Sequence, residues 1–193
     1  MHIRAFLAAE VAADIGAQAK QVIAQLSDGT RDVKWVDPTS LHLTFKFFGE
    51  TDPRDIYRIS KTVQTVIASF DPFMINVQGV GAFPDLRRPR TIWAGIATGA
   101  DELVQLQSAL DKALLAEGFP CERRRFHPHV TLGRLRDGRG AGQLVDGLNA
   151  VRESVFGAMQ LHELVLFSSE LQRSGPIYTP LATIPLGRDA PES

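Results

Sequence analysis

Apolar residues recur along this chain with two different periods, which predicts a protein built from both strands and helices. Alternating or continuous runs rich in Val, Ile, Phe and Thr predict strands, because side chains of a strand project to opposite faces in turn. The predicted strands are Ile3–Ala9, Lys34–Val36, Leu41–Phe48, Phe73–Phe83, Thr91–Ala97, His129–Leu135, Phe156–Ser168 and Ile177–Ile184.

Apolar spacings of three and four residues predict helices between these strands. The first helix carries a stripe from Val11 to Leu26 and ends at Ser27–Gly29. The second begins at Asp52-Pro53, with the aspartate as N-cap and proline at the first helical position. The third begins at Asp101 and is capped by Gly118, and a short fourth helix covers Leu144–Ala150.

The order of these elements predicts an α+β protein with two lobes, each a small antiparallel-rich sheet backed by helices. Residues 1–187 are expected to form one bilobal domain, and residues 188–193 a polar tail that frays. Strand 41–48 is expected to stop at Gly49.

Two short segments of the chain almost repeat each other. They are His42-Leu43-Thr44-Phe45 and His129-Val130-Thr131-Leu132. Since a strand has period two, each histidine projects from the same face as its threonine, and the apolar residues project from the other. One such pair is common on strands, but two in a chain with five histidines indicate acid–base groups that face a common substrate across a cleft.

Histidine titrates near neutral pH, so one imidazole of a pair can act as base while the other acts as acid. In-line displacement at phosphorus needs this division, because water attacks on one side while an alkoxide leaves on the other. The threonine hydroxyls could donate hydrogen bonds to the non-bridging oxygens. This arrangement would need no metal and no cofactor.

A metal site is the alternative interpretation of the same histidines. His127-Pro128-His129 has a metal-ligand spacing, and His42 could supply a third ligand. No aspartate or glutamate stands at a supporting position, with Glu122 the closest acid upstream. His2 and His162 lack any motif and are expected to be structural or exposed.

Composition and charge set further limits. The chain is 44% hydrophobic and 22% charged, which suits a soluble globular core. Cys121 is the only cysteine, which excludes an internal disulfide and fits a reducing cytosol. Charged residues interrupt the apolar N-terminus and no apolar run approaches about 20 residues, so we expect a cytoplasmic protein without a membrane partner.

The net charge of −1 does not favour wholesale nucleic-acid binding. The arginines are nevertheless clustered, and local clusters of this kind can hold phosphates or simply form a solvated surface. The clusters are Arg87-Arg88-Pro89-Arg90, Arg123-Arg124-Arg125 and Arg134/Arg136/Arg139.

The segments from His42 to Glu50 and from Phe126 to Arg134 resemble the paired signatures of the two-histidine phosphoesterases. Within that group, the chain is most similar to the RNA 2′,3′-cyclic phosphodiesterases, once called 2′-5′ RNA ligases. The resemblance extends over nearly the whole chain and includes Ile3–Ala8, Trp35-Val36, Leu166–Leu171 and Gly175–Tyr178.

Membership implies a bilobal fold with a pseudo-two-fold axis and a cleft that holds both motifs. It implies hydrolysis of RNA 2′,3′-cyclic phosphate ends, or of cyclic nucleotides, to 2′-phosphomonoesters. Separately, we expect the protein to be a monomer. His42 would protonate the leaving 3′ oxygen, His129 would activate water, and Thr44 and Thr131 would bind phosphate oxygens. The reverse reaction, joining ends through a 2′-5′ bond, is allowed by microscopic reversibility.

Further residues have more conditional roles. Arg134 matches a position that is often basic in the family, but its odd offset from His129 places it on the opposite face unless a bulge intervenes. Phe48, Phe126 and Tyr178 are candidates to stack a terminal base or to fill the core. A non-catalytic RNA-end binding protein that uses the same cleft and the arginines remains an alternative, as does the metallohydrolase.

Overall fold

The computed structural model describes residues 2–27, 32–122, 124–136, 141–172 and 175–187. The predicted tail at 188–193 therefore lies outside the described residues. The strands are β1 Ile3–Glu10, β2 Val33–Trp35, β3 His42–Thr51, β4 Phe73–Phe83, β5 Thr91–Thr98, β6 His129–Leu135, β7 Val155–Leu161, β8 Glu163–Gln172 and β9 Gly175–Pro185. The α-helices are α1 Ala13–Ser27, α2 Asp55–Ile67, α3 Ala100–Ala116 and α4 Ala141–Ala150, and a 3-10 turn covers Pro38–Ser40.

The strands form one curled antiparallel sheet in the order β7-β4-β5-β6-β3-β1-β8-β9, with β2 paired to β6. One half of the sheet, β7-β4-β5-β6, ends at β6, and the other half, β3-β1-β8-β9, begins at β3. The two strands that carry the His-x-Thr motifs are therefore neighbours at the middle of the sheet. They pair at Leu43 and Val130. The α+β fold is confirmed, but the two predicted sheets are continuous through this contact. The motif strands are therefore neighbours rather than opposed walls of a cleft.

Several element boundaries differ from the sequence prediction. Strand β3 continues past Gly49, which takes a φ of 69° that glycine adopts without steric cost. Asp52 does not cap α2; its carboxylate accepts a hydrogen bond from the backbone N–H of Arg54, and the helix begins at Asp55. The single strand predicted over Phe156–Ser168 is two strands separated at His162.

The two faces of the sheet have different partners. One face packs against the helices in the main core, where Ile15, Ile59 and Leu110 are almost fully buried. The other face carries a small second cluster of Phe6, Ala8, Val165 and Phe167, with Tyr178 packed against it. This second face is the one that carries the histidines. Within the described ranges, no helix has both the length and the apolar character needed to cross a bilayer.

A buried cation links the first motif strand to the segment that leads to the second. The Lys46 side chain is 2% exposed, and its ammonium group forms an ion pair with Asp111 of α3 at 2.5 Å. The same Nζ donates to the carbonyl of Pro120 at 2.9 Å. Gln107 donates to the other carboxylate oxygen of Asp111, so the pair is satisfied on both sides.

Candidate active site

The pairing of β3 with β6 brings the two His-x-Thr motifs together diagonally. Because Leu43 is opposite Val130 in an antiparallel pair, the preceding residue His42 is opposite Thr131. For the same reason Thr44 is opposite His129. Leu43 and Val130 are each 1% exposed and point into the core, so the four polar side chains share the other face.

Each histidine is oriented by a backbone carbonyl two residues earlier in the chain. Nδ1 of His42 lies 2.9 Å from the carbonyl oxygen of Ser40, and Nδ1 of His129 lies 2.6 Å from that of His127. A carbonyl can only accept, so each Nδ1 carries the proton and donates it. In both rings Nε2 is therefore the nitrogen left for proton exchange with a substrate.

Burial lowers the pKa of both histidines below the ordinary value of 6.5, because desolvation disfavours the imidazolium form. The hydrogen bonds to the carbonyls of Ser40 and His127 oppose this effect. Nearby positive charge adds to it: Arg134 acts on both rings, and His129 also lies near His127 and His42. Both rings are thus biased toward the neutral form when the site is empty.

Arg134 lies on the same face as the histidines because β6 contains a bulge. Trp93 pairs with Thr131, whereas Ile92 pairs with Gly133, so Leu132 is an extra residue. Arg134 then pairs with Thr91 and donates a hydrogen bond to its hydroxyl at 3.3 Å. The sequence allowed Arg134 to share the face of the histidines only if a bulge intervened, and the structure contains that bulge.

Aromatic rings flank each histidine. The His42 ring lies 5.1 Å from that of Phe6 and 5.2 Å from that of Tyr178. The His129 ring stands edge-on to Phe83 at 5.1 Å. Phe6 and Phe83 were not singled out from the sequence. Phe6 lies in a run that is apolar on both faces, so alternation gives no signal there.

The polar groups line two neighbouring hollows. One, of about 330 Å³, is lined by Thr44, His129, Thr131 and Arg134, and by Arg124 and Arg125 on its rim. The other, also about 330 Å³, is lined by His42, Tyr178 and Glu10. His42 and Thr44 alternate on one strand face, so the two hollows adjoin there.

The remaining candidates have varied positions. Phe48 packs edge-on to Phe119 against the core and is not in the site. Phe126 stacks on Phe45 and lines the hollow beside His129, and Tyr178 lies beside His42. Arg123 and Arg139 lie outside the described residues.

The ligand set of the metallohydrolase alternative is not assembled among the described residues. In that part of the chain, no three or more His, Cys, Asp or Glu side chains are grouped so as to hold a metal ion. His127 instead packs its ring against Trp93 at 5.0 Å. His162 lies near Glu163 between β7 and β8.

The chain matches known sequences over most of its length. It is 33% identical over 179 residues to the RNA 2′,3′-cyclic phosphodiesterase of Methanothermobacter thermautotrophicus, covering 93% of this chain and 96% of that protein. It is 34% identical over 179 residues to the RNA 2′,3′-cyclic phosphodiesterase of Archaeoglobus fulgidus, covering 93% and 98%.

Solved structures confirm the two-histidine phosphoesterase fold. TT0787 of Thermus thermophilus superposes with a TM-score of 0.79 at 25% identity, covering 97% of this chain and 100% of that one. Escherichia coli LigT complexed with 3′-AMP superposes with a TM-score of 0.72 at 26% identity, covering 96% and 99%. The sequence model of the 2′-5′ RNA ligase superfamily matches residues 8–172, and the chain belongs to that superfamily.

Proposed function

We propose that this protein hydrolyses RNA 2′,3′-cyclic phosphate ends to 2′-phosphomonoesters by acid–base catalysis between His42 and His129. The observation that carries the proposal is the diagonal placement of two histidines and two threonines across the Leu43–Val130 pair. The enzyme is a phosphodiesterase, in keeping with the names of the relatives that match most of its length.

The reaction consists of one displacement at phosphorus, accompanied by two proton transfers. Nε2 of neutral His129 takes a proton from water as the water oxygen attacks phosphorus. The bond from phosphorus to the 3′ oxygen breaks, and Nε2–H of protonated His42 gives its proton to that oxygen. The products are a 2′-phosphomonoester and a free 3′ hydroxyl. Proton exchange with solvent then restores both rings.

The surroundings of the two rings support this division of roles. Burial favours the neutral form of both, and the electrostatic influence of His127 lowers the pKa of His129 further. His129 is therefore held in the neutral form that a general base needs. An anionic phosphate bound between the rings raises the pKa of each imidazole, because an opposite charge stabilises the protonated form. We assign the proton to His42, whose pKa is lowered by burial and by Arg134 but not by His127.

Thr44, Thr131 and Arg134 complete the phosphate site. Each threonine is directly across the strand from the other motif's histidine, so each hydroxyl can donate to a non-bridging oxygen beside the reacting bond. The Arg134 guanidinium adds positive charge close to both rings. A 5′ hydroxyl in place of the attacking water would form a 2′-5′ phosphodiester with the same groups.

The direct test is product analysis on a dinucleotide that ends in a 2′,3′-cyclic phosphate, with and without chelator. We expect complete conversion to the 2′-phosphate at a rate that the chelator does not change. The phosphorus signal of the product distinguishes the 2′ from the 3′ monoester. A 3′-phosphate product would overturn the assignment of the leaving oxygen.

Two other outcomes correspond to the alternatives. Salt-sensitive binding of the RNA without any product on long incubation would indicate an RNA-end binding protein. Loss of turnover on chelation, restored by added metal, would indicate a metallohydrolase. Either result would contradict the two-histidine mechanism.

A further inference from the structure

The two hollows of the site differ in charge. The hollow beside His42 is lined by Glu10 and, among the described residues, by no lysine or arginine. The hollow beside His129 is lined by Arg124, Arg125 and Arg134 and by one acidic residue, Glu122, so its lining is positive on balance. Every nucleotide upstream of an RNA 3′ end adds one negative phosphate. The body of an RNA substrate therefore has a favourable route only on the His129 side.

A row of aromatic rings leads away from His129 in that direction. The ring of Phe83 lies 5.1 Å from His129 and 5.2 Å from Trp93. The Trp93 ring is 6.4 Å from that of His129, with His127 beside it at 5.0 Å. Beyond this row lies a third hollow of about 750 Å³, lined by Trp93, Arg87 and Arg152.

Two glycines shape the Trp93 side of this hollow. Gly81 of β4 is paired with Trp93 of β5, and a Cβ at Gly81 would collide with Cη2 and Cζ2 of the indole. At Gly95 a Cβ would lie 3.3 Å from Cζ3 of the same ring. The indole therefore lies across the strand backbone and leaves the hollow open. Ligand pockets of this size accept a nucleotide.

The two arginines project from anchored backbone. The carbonyl of Arg152 accepts a hydrogen bond from Val80 N–H at 2.8 Å, which holds the residue against β4. The backbone N–H of Arg87 donates to Asp85 Oδ1 at 2.8 Å within the β4–β5 turn. Nε of Arg152 lies 3.9 Å from Oε1 of Glu153.

We propose that this hollow binds the penultimate nucleotide, which lies directly upstream of the nucleotide that carries the cyclic phosphate. Its base would lie against Trp93 and its phosphate beside Arg87 and Arg152. The inference rests on the proposed function, because it takes the reacting phosphate to lie at His129. Bases stack on aromatic side chains without regard to sequence, so the site recognises single-stranded RNA of any sequence.

The acidic residues of the hollow do not oppose this occupant. Oδ1 of Asp85 accepts hydrogen bonds from the backbone N–H groups of both Arg87 and Arg88. The Glu153 side chain lines the hollow but is 87% exposed, so solvent screens its charge. Arg88 and Arg90, both exposed on the same turn, add further positive charge around the hollow.

The test compares a 2′,3′-cyclic mononucleotide with a trinucleotide that ends in a 2′,3′-cyclic phosphate. In the Arg87→Ala/Arg152→Ala double variant, we expect kcat/KM for the trinucleotide to fall roughly tenfold, while that for the mononucleotide stays within twofold. The slope of log kcat/KM for the trinucleotide against log salt should decrease by about 0.7 for each phosphate that the variant no longer neutralises. Arg54→Ala, which removes an exposed arginine on the helical side, is the matched control and should change neither substrate.

Trp93→Leu supplies an independent test of the stacking contact, with thermal unfolding used to verify the fold. It should raise KM for the trinucleotide more than for the mononucleotide, whereas Trp93→Phe should recover most of the difference. Equal losses on both substrates, or no loss on the trinucleotide, would overturn the upstream site and leave the proposed function intact. Failure of wild-type protein to hydrolyse either substrate would instead overturn the proposed function.

Discussion

His42 and His129 have the same local geometry in two different surroundings. Each begins its strand and donates from Nδ1 to the carbonyl two residues earlier. The His42 ring lies against Phe6 and Tyr178, in a hollow whose described charged lining is Glu10. The His129 ring lies against Phe83, beside a hollow lined by three arginines and Glu122. In the proposed mechanism, the repeated motif supplies two similar proton carriers, and their different surroundings distinguish the acid from the base.

The largest expected effect comes from removing either histidine of this pair. His42→Ala and His129→Ala should each reduce kcat for a cyclic-ended dinucleotide by about 10²- to 10⁴-fold, because each removes one proton transfer. Thermal unfolding should show a folded protein in both cases. His162→Ala, an exposed histidine outside the site, is the control and should retain full activity. Full activity in either motif variant would contradict the mechanism.

The next largest effect concerns the buried Lys46, which links the first motif strand to the segment before the second. Lys46→Met leaves Asp111 without its buried partner and frees the carbonyl of Pro120, in the segment before β6. Removing one member of a buried ion pair typically costs about 3–5 kcal/mol of unfolding free energy. Urea unfolding measures the loss. Lys61→Met on the exposed side of α2 is the control, and Lys46→Met/Asp111→Leu should recover part of the stability.

A smaller effect tests the positive charge that the two histidines share. Arg134→Gln removes a guanidinium that acts on both rings, and should lower kcat by roughly 10- to 100-fold through weaker stabilisation of the phosphate. It should also raise the pKa of both histidines, since Arg134 lowers them. Arg134→Lys should recover most of kcat. Arg136→Gln, two residues on and exposed, should behave as wild type; an equal loss there would indicate a general charge effect.

The smallest effect is a shift in pH dependence. The proposed mechanism requires one protonated and one neutral ring, and burial holds both pKa values below 6.5 in the free enzyme. The profile of kcat/KM should therefore be bell-shaped with its maximum below pH 6.5, because the acid is lost above both values and the base below both. The kcat profile should lie at higher pH, since bound phosphate stabilises imidazolium. A kcat/KM maximum above pH 7.5 would contradict this.

The same pKa shifts affect stability. Because the folded pKa of each histidine lies below its unfolded value, the unfolded chain takes up protons first as the pH falls below 6.5. Their contribution to stability is complete above that pH and is lost as the pH falls through the window down to the folded values. Urea unfolding of His42→Ala/His129→Ala should show a shallower decline over this range than wild type.

The sequence was most informative where alternation was regular. The bounds of Phe73–Phe83 and His129–Leu135 were predicted as they stand in the structure, and both His-x-Thr pairs do lie on strands. The strand predicted over Phe156–Ser168 was wrong because no glycine or proline marks the break at His162. The chain there leaves the edge beside β4 and crosses to pair with β1.

Long-range contacts explain most of what the sequence did not reveal. The register of Leu43 against Val130 joins residues far apart in the chain, and no local pattern specifies it. The face of Arg134 depended on a bulge at Leu132 that the sequence left open. The carbonyls of Ser40 and His127, which fix the proton on Nδ1, belong to backbone whose course was not predicted.

The most direct test of the acid and base roles uses a dinucleotide whose 2′,3′-cyclic phosphate has sulfur in place of the 3′ oxygen. A thiolate, with a thiol pKa of about 8.5, leaves without protonation. The activity of His42→Ala should therefore rise at least tenfold on the sulfur substrate relative to the oxygen substrate, while His129→Ala stays inactive on both. Rescue of His129→Ala instead of His42→Ala, or of neither variant, would contradict the assignment.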